Sequence, residues 1–189
     1  MGFGFEALAG LAAALVAIGL LLYFVLVFNS LIALRNEVRR AWANVDVLLK
    51  QRNDELPNLV ATVKGYMKHE RKLLEGIANA RAAMLGAKSL GEKAKADEQL
   101  SGALKTLFAV AENYPVLRAS ENFKQLQDRI SGLENEIADR REFYNSSVAN
   151  FNIRIQSIPD VAVARLLSLK QEEMFAAGEK EKEVPQTRL

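Results

Sequence analysis

His69 is the only histidine in the chain and Glu70 follows it, so this pair is the first place to look for acid–base, metal or phosphoryl chemistry. A zinc site of the His-Glu-x-x-His kind needs a second histidine one turn on, and the run here is HERKL. A di-iron helical bundle needs two Glu-x-x-His sets, which one histidine cannot supply. A phospho-accepting His69 is the remaining functional reading, and no nucleotide-binding sequence accompanies it. The blander reading, a surface or cap residue, is preferred. The serines are scattered, no Gly-x-Ser-x-Gly occurs, and a Ser-His-acid triad has no support beyond the single histidine. GEKAKAD contains no phosphate loop. Glu134, Glu136, Asp139 and Glu142 cluster, but Arg140 and Arg141 lie among them, as on a solvated, salt-bridged helix face. Cysteine is absent, which removes disulfides, zinc–thiolate sites and thiol chemistry. No catalytic set, metal site or cofactor is expected, and the chain is not expected to be an enzyme.

Other residue types suggest contact rather than reaction. Phe143, Tyr144, Asn145, Asn150, Phe151 and Asn152 place aromatic and amide side chains where a simpler helix would carry Ala, Lys or Glu. They read either as buried amides that fix helix register or as a surface that meets a neighbouring protomer. Ala9, Ala13 and Ala17 recur every fourth position, as do Gly10 and Ala14, a spacing that lets membrane helices approach closely. Ordinary Ala-rich filler gives the same pattern. Arg35, Arg39 and Arg40 follow the apolar run and are candidates for lipid head-group contact, each worth about 1 kcal/mol near an anionic surface.

These positions depend on an uncharged stretch, ALAGLAAALVAIGLLLYFVLVF at 7–28. About 22 residues at 1.5 Å each make a helix of roughly 33 Å, enough to cross a hydrocarbon core. A cleaved signal peptide would show a basic leader, a shorter apolar run and small residues at its end. This run follows MGFGFE and ends in Val27 and Phe28, so it reads as an anchor. With the arginines on its C-terminal side, the positive-inside rule puts residues 1–6 outside and the rest in the cytoplasm.

Beyond the anchor, low Pro and Gly with abundant Ala, Leu, Glu, Lys and Arg favour helices throughout. A first stripe, Leu31, Leu34, Val38, Trp42, Val45 and Leu49, runs to about Arg52 with nothing to interrupt it on leaving the membrane. Trp42 is read as core. Asn53, Asp54 and Pro57 favour a tight reversal, with a kink in one long helix as the alternative. A second helix runs to about Ala87 and a third from about Lys93 to Asn113. A fourth starts after Ser120 and carries Phe123, Leu126, Ile130, Leu133, Ile137, Tyr144, Val148, Phe151 and Ile155 until Pro159. The predicted fold class is all-α: one transmembrane helix (7–28), an up-down four-helix bundle (29–158), a short apolar helix (159–175) and a charged tail (176–189). The apolar VAVARLLSL would pack on the bundle or lie against the membrane.

FNSLIALRNEVRRAWANVDVLLKQRNDELPNLVATVKGYMKHE, then LFAVAENYPVLRASENFKQLQ, then REFYNSSVANFNIRIQSIP together resemble the LemA family over roughly 28–170. LLSLKQEEMF departs from that family's usual Gly-, Phe- and Pro-containing ending. The resemblance implies a bacterial membrane protein with an up-down four-helix domain and brings no settled activity.

A net charge of +2, with no aromatics interleaved among the basic residues, gives no reason to expect nucleic acid. The expected partners are membrane lipid and further copies of the same chain, in a scaffold that organises or shapes membrane. The alternative is a regulatory adaptor whose bundle binds another membrane protein, such as a protease or sensor.

Overall fold

In the computed structural model, which describes residues 2–176, every regular element is helical. The elements are α1 (Gly2–Lys64), α2 (Arg71–Gly86), α3 (Leu90–Ala111), α4 (Pro115–Ala119), α5 (Glu121–Gln156) and α6 (Asp160–Leu166). No strand occurs among the described residues. The charged tail expected from 176 lies outside them after Ala176. Contacts divide the chain into two units: residues up to Arg40 with Ser147–Glu172, and Ala41–Ser146 with the residues from Glu173.

The expected reversal at Pro57 does not occur; α1 runs through it to Lys64. A proline inside a helix removes one N–H and leaves the carbonyl four residues earlier without its partner. Here that carbonyl belongs to Asn53, and the Arg81 Nε of α2 donates to it at 3.1 Å. The Pro57 ring itself is exposed. The reversal comes instead at residues 65–70, where Tyr66 and Met67 N–H both return to the Val63 carbonyl, at 3.0 and 2.9 Å. The expected second helix is therefore shared between the end of α1 and α2.

α3 begins at a capping box. The Ser89 hydroxyl accepts from Glu92 N–H at 3.2 Å while Glu92 Oε2 accepts from the N–H groups of Ser89 and Lys88. Those two bonds hold the Glu92 carboxyl below its ordinary pKa. α4 opens on Pro115 at its first turn, and the Ser120 hydroxyl accepts from Phe123 N–H at 3.4 Å as α5 starts. The short helix expected over 159–175 ends at Leu166. Ser168 takes a left-handed φ of 52°, and Leu169 N–H bonds back to the Ala164 carbonyl at 3.0 Å, the closing geometry in which glycine is usual.

In the second unit Leu56, Leu59, Val63, Ile77, Leu100, Leu104, Leu107, Leu117, Phe123 and Ile130 form one buried cluster drawn from α1 to α5. In the first unit Leu31, Val38, Val148, Phe151, Ile155 and Val163 are buried. The three-and-four spacing on the first and last long helices thus marks covered faces.

Because Arg81 replaces a bond that Pro57 removes, the two side chains are coupled. Arg81→Ala should cost about 1–3 kcal/mol by leaving the Asn53 carbonyl unsatisfied. In a Pro57→Ala background the restored N–H takes that carbonyl, so the same change should cost clearly less. Thermal unfolding of the four proteins of this cycle checks it; equal costs in both backgrounds would contradict the account.

Candidate functional site: an uncovered apolar stretch, two polar clamps and a buried ion cluster

From Ala7 to Tyr23 every residue of α1 is exposed, and Leu8, Leu11, Leu15, Val16, Leu20 and Leu21 each stand about 59–68% open. Burial begins at Val27 (4%) and is complete at Leu31. α1 is the one helix among the described residues that is long and apolar enough to cross a membrane, and its most apolar 18-residue window is only 6% buried. A core helix of a water-soluble protein covers such a window with its own chain; here the described residues do not. Ala9, Gly10, Ala13, Ala14 and Ala17 all lie on the open part, and a Cβ added at Gly10 meets nothing within 4 Å.

Farther along α1, Arg39 and Arg40 are exposed, whereas Arg35 is half-buried with its Nε 3.8 Å from Glu172 Oε1. In the same unit Tyr23 donates its hydroxyl to Asp160 Oδ1 at 3.0 Å, and Asp160 also pairs with Arg154. Asn152 grips the backbone of Glu172 in both directions, its Nδ2 donating to the carbonyl at 2.9 Å and its Oδ1 accepting from the N–H at 2.9 Å.

Asn145 repeats that clamp in the second unit. Its Nδ2 donates to the Phe175 carbonyl at 3.3 Å and its Oδ1 accepts from Phe175 N–H at 2.8 Å, while the Tyr144 hydroxyl donates to the Glu173 carbonyl at 2.8 Å. The Phe175 ring is fully buried, with the Trp42 ring 5.7 Å away and the Arg141 guanidinium 4.9 Å over its face. These bonds occupy backbone groups of Glu172, Glu173 and Phe175 that a helix would otherwise use. Of the other α5 candidates Phe151 is fully buried, and Phe143 and Asn150 are exposed.

Inside the second unit lies a cluster that reading the residue types alone does not find. Arg52 is 0% exposed. Its Nη2 donates to Asp97 Oδ1 at 2.6 Å, and its Nη1 to Glu134 Oε1 at 2.6 Å and Ser101 Oγ at 3.0 Å. Ser101 donates on to Glu134 Oε2 at 2.6 Å, and Arg141 reaches Asp97 Oδ2 at 3.1 Å. Two guanidinium groups thus face two carboxylates, and the charges cancel. Burial pushes the Asp97 carboxyl up from its ordinary pKa against the pull of Arg52 and Arg141. A signal existed in the sequence: Arg52 continues the stripe Val45, Leu49, Leu56, Leu59 at helical spacing, on the face that is otherwise apolar. Glu134 therefore departs from the solvated face expected of it, while Glu136, Asp139 and Glu142 are exposed. A charge-balanced cluster centred on a buried Arg52 fixes which helix meets which, in the way a polar residue sets register in a seam.

His69 is exposed in the turn after α1, and Glu70 accepts from the Tyr114 hydroxyl at 3.2 Å. Among the described residues no group of three or more His, Cys, Asp or Glu side chains is placed to hold a metal ion.

Comparison with known proteins gives a match to the model of the LemA family over residues 41–188. Magnetosome protein MamQ 2 of Paramagnetospirillum magneticum is 25% identical, across 78% of this chain and 64% of its own length. Magnetosome protein MamQ of Magnetospirillum gryphiswaldense is 22% identical with the same shares. Protein LemA of Metamycoplasma hominis is 30% identical, across 85% of this chain and 74% of its own. The chain thus spans just under two thirds of the length of the two magnetosome proteins. The family match starts after the apolar stretch, so the case for that stretch rests on this chain itself.

Arg52→Met should cost about 3–5 kcal/mol, because Asp97 and Glu134 lose the cation that neutralises them. Its sign with pH follows from Asp97. With Arg52 gone the carboxyl pKa rises further, so the stability this group contributes is fully present below the ordinary Asp pKa and is lost as pH rises through the raised one. The deficit against wild type should therefore grow from acid to neutral pH, and Arg52→Met with Asp97→Leu should recover most of it. Melting curves across pH check this; a neutral Arg52→Met would contradict the buried pairing.

Proposed function

The chain belongs to the LemA family, and from that premise we propose that it is a non-enzymatic, self-associating scaffold, anchored in a bacterial inner membrane by the first part of α1. The observation that carries this reading is the long apolar run that the described residues leave uncovered until Val27. Leu, Ile and Val side chains gain about 0.3–0.6 kcal/mol each at the centre of a bilayer, so a run of such residues makes lipid the favoured surroundings. Arg35, Arg39 and Arg40 follow within the distance over which basic residues set orientation, which supports an outer N-terminus and a cytoplasmic body. In that body α1, α2, α3 and α5 serve as the up-down four-helix arrangement, locked by the Arg52 cluster.

Self-association is assigned to the open rows of Ala9, Gly10, Ala13, Ala14 and Ala17, where small side chains let helix backbones approach. Phe143, exposed on α5, is a candidate contact between protomers in the cytoplasm. The bulky residues 20–28 keep neighbouring helices further apart than the small ones do. Copies drawn together at the outer end and spread at the inner end make a wedge that favours membrane convex toward the cytoplasm.

The test is the mass and composition of the particle extracted in mild detergent. The scaffold reading expects several copies and little else, and expects Gly10→Leu with Ala13→Leu to reduce that mass toward one chain. No described residue comes within 4 Å of a Cβ added at Gly10, so the change is aimed at what lies outside the protomer. A wild-type monomer recovered with a different membrane protein would replace the scaffold by the adaptor.

A further inference from the structure

Ile158 is 88% exposed, the most open of the large apolar residues among the described ones, and it sits at the corner where α5 turns into α6. Leu166, at the other end of α6, is 71% exposed, and Pro159 is exposed as well. An apolar corner held out into water has no stabilising reason of its own. What fixes its place is the bond from Tyr23 to Asp160 at 3.0 Å. Tyr23 belongs to the uncovered apolar stretch, and Phe28 lies about 7–8 Å further along the helix axis. A helical side chain leans toward the N-terminus of its helix, so the Tyr23 hydroxyl, and Asp160 with it, lies level with that stretch and not beyond it.

We propose that the α5–α6 corner is a second membrane contact, with Ile158 and Pro159 seated in the head-group and upper acyl layer of the bilayer that α1 crosses. The proposal rests on the anchor reading of α1 and adds a depth and an occupant to it. The corner's chemistry suits that layer. Its one carboxylate, Asp160, is 5% exposed and is neutralised by Arg154 while it accepts from Tyr23, so no bare anion is carried toward lipid. Arg165 is exposed beside it and Arg154 keeps 48% of its side chain open, two cations with stems long enough to reach phosphate. Tyr23, in the last turns of the apolar run, is of the residue type that an interfacial layer favours. Apolar groups held in this way enter about 5–10 Å into the boundary between head groups and chains.

The chain has no cysteine, so single cysteines carrying a nitroxide can be introduced one at a time in the full-length protein. Ile158→Cys tests the corner. Val116→Cys, 71% exposed in α4, is the aqueous reference, and Leu15→Cys reports the anchor. All three positions are open, so the substitutions disturb no core. In vesicles of phosphatidylethanolamine and phosphatidylglycerol, collision with oxygen is compared with collision with a water-soluble nickel chelate. The expected result is an oxygen-to-nickel ratio at 158 several-fold above that at 116 and below that at 15. A ratio at 158 equal to that at 116, with 15 in lipid, overturns the corner and leaves the anchor standing. Protection of 158 from both reagents also overturns it, since protein and not lipid would then cover the corner. Ready nickel access at 15 removes the anchor and the corner together.

Discussion

A run of about twenty apolar side chains stays in water only if something covers it. Among the described residues nothing does: α1 is exposed from Ala7 to Tyr23, and burial begins at Val27. That condition orders the rest of the molecule. The same helix changes its surroundings without ending, because neither the end of the apolar run nor Pro57 stops it before Lys64. No glycine or proline stands between Phe28 and Leu56, so the apolar stretch continues in one helix past its end.

Past the apolar stretch, specificity comes from polar groups placed on apolar faces. The Arg52 cluster offers no gain over well-packed hydrophobic residues, since desolvating two ion pairs costs about as much as their attraction returns. It does set partners. Only one alignment of α1, α3 and α5 puts Asp97, Ser101 and Glu134 within reach of one guanidinium. Asn145 and Asn152 do similar work for an irregular segment, each satisfying the N–H and C=O of a single residue that has left helical geometry. Arg81 mends the bond lost at Pro57 in the same way.

Much of this was legible in the residues. Apolar spacing located the buried faces of the long helices, Ser120 marked the start of α5, and the uncharged run at 7–28 marked the open part of α1. Pro57 misled because a local rule about proline cannot see a guanidinium brought to the Asn53 carbonyl from a residue 28 positions later. Residues 167–176 misled for a related reason: apolar composition favours a helix, but tertiary bonds take backbone groups of Glu172, Glu173 and Phe175. Arg52 was hidden by its type, since arginine reads as surface unless its place on the stripe is weighed above its charge. Asn145 and Asn152 were flagged as unusual, with both a register role and an outward contact open. What sequence alone did not supply was the backbone they grip.

The central claim is that lipid, not protein or water, covers the first part of α1. Cells making the full-length chain can be lysed without detergent, their membranes washed in alkaline carbonate, and the fractions separated by ultracentrifugation. The account predicts that the chain stays in the pellet and leaves it only when detergent is added. Recovery of the chain in the supernatant before or during the carbonate wash would contradict it.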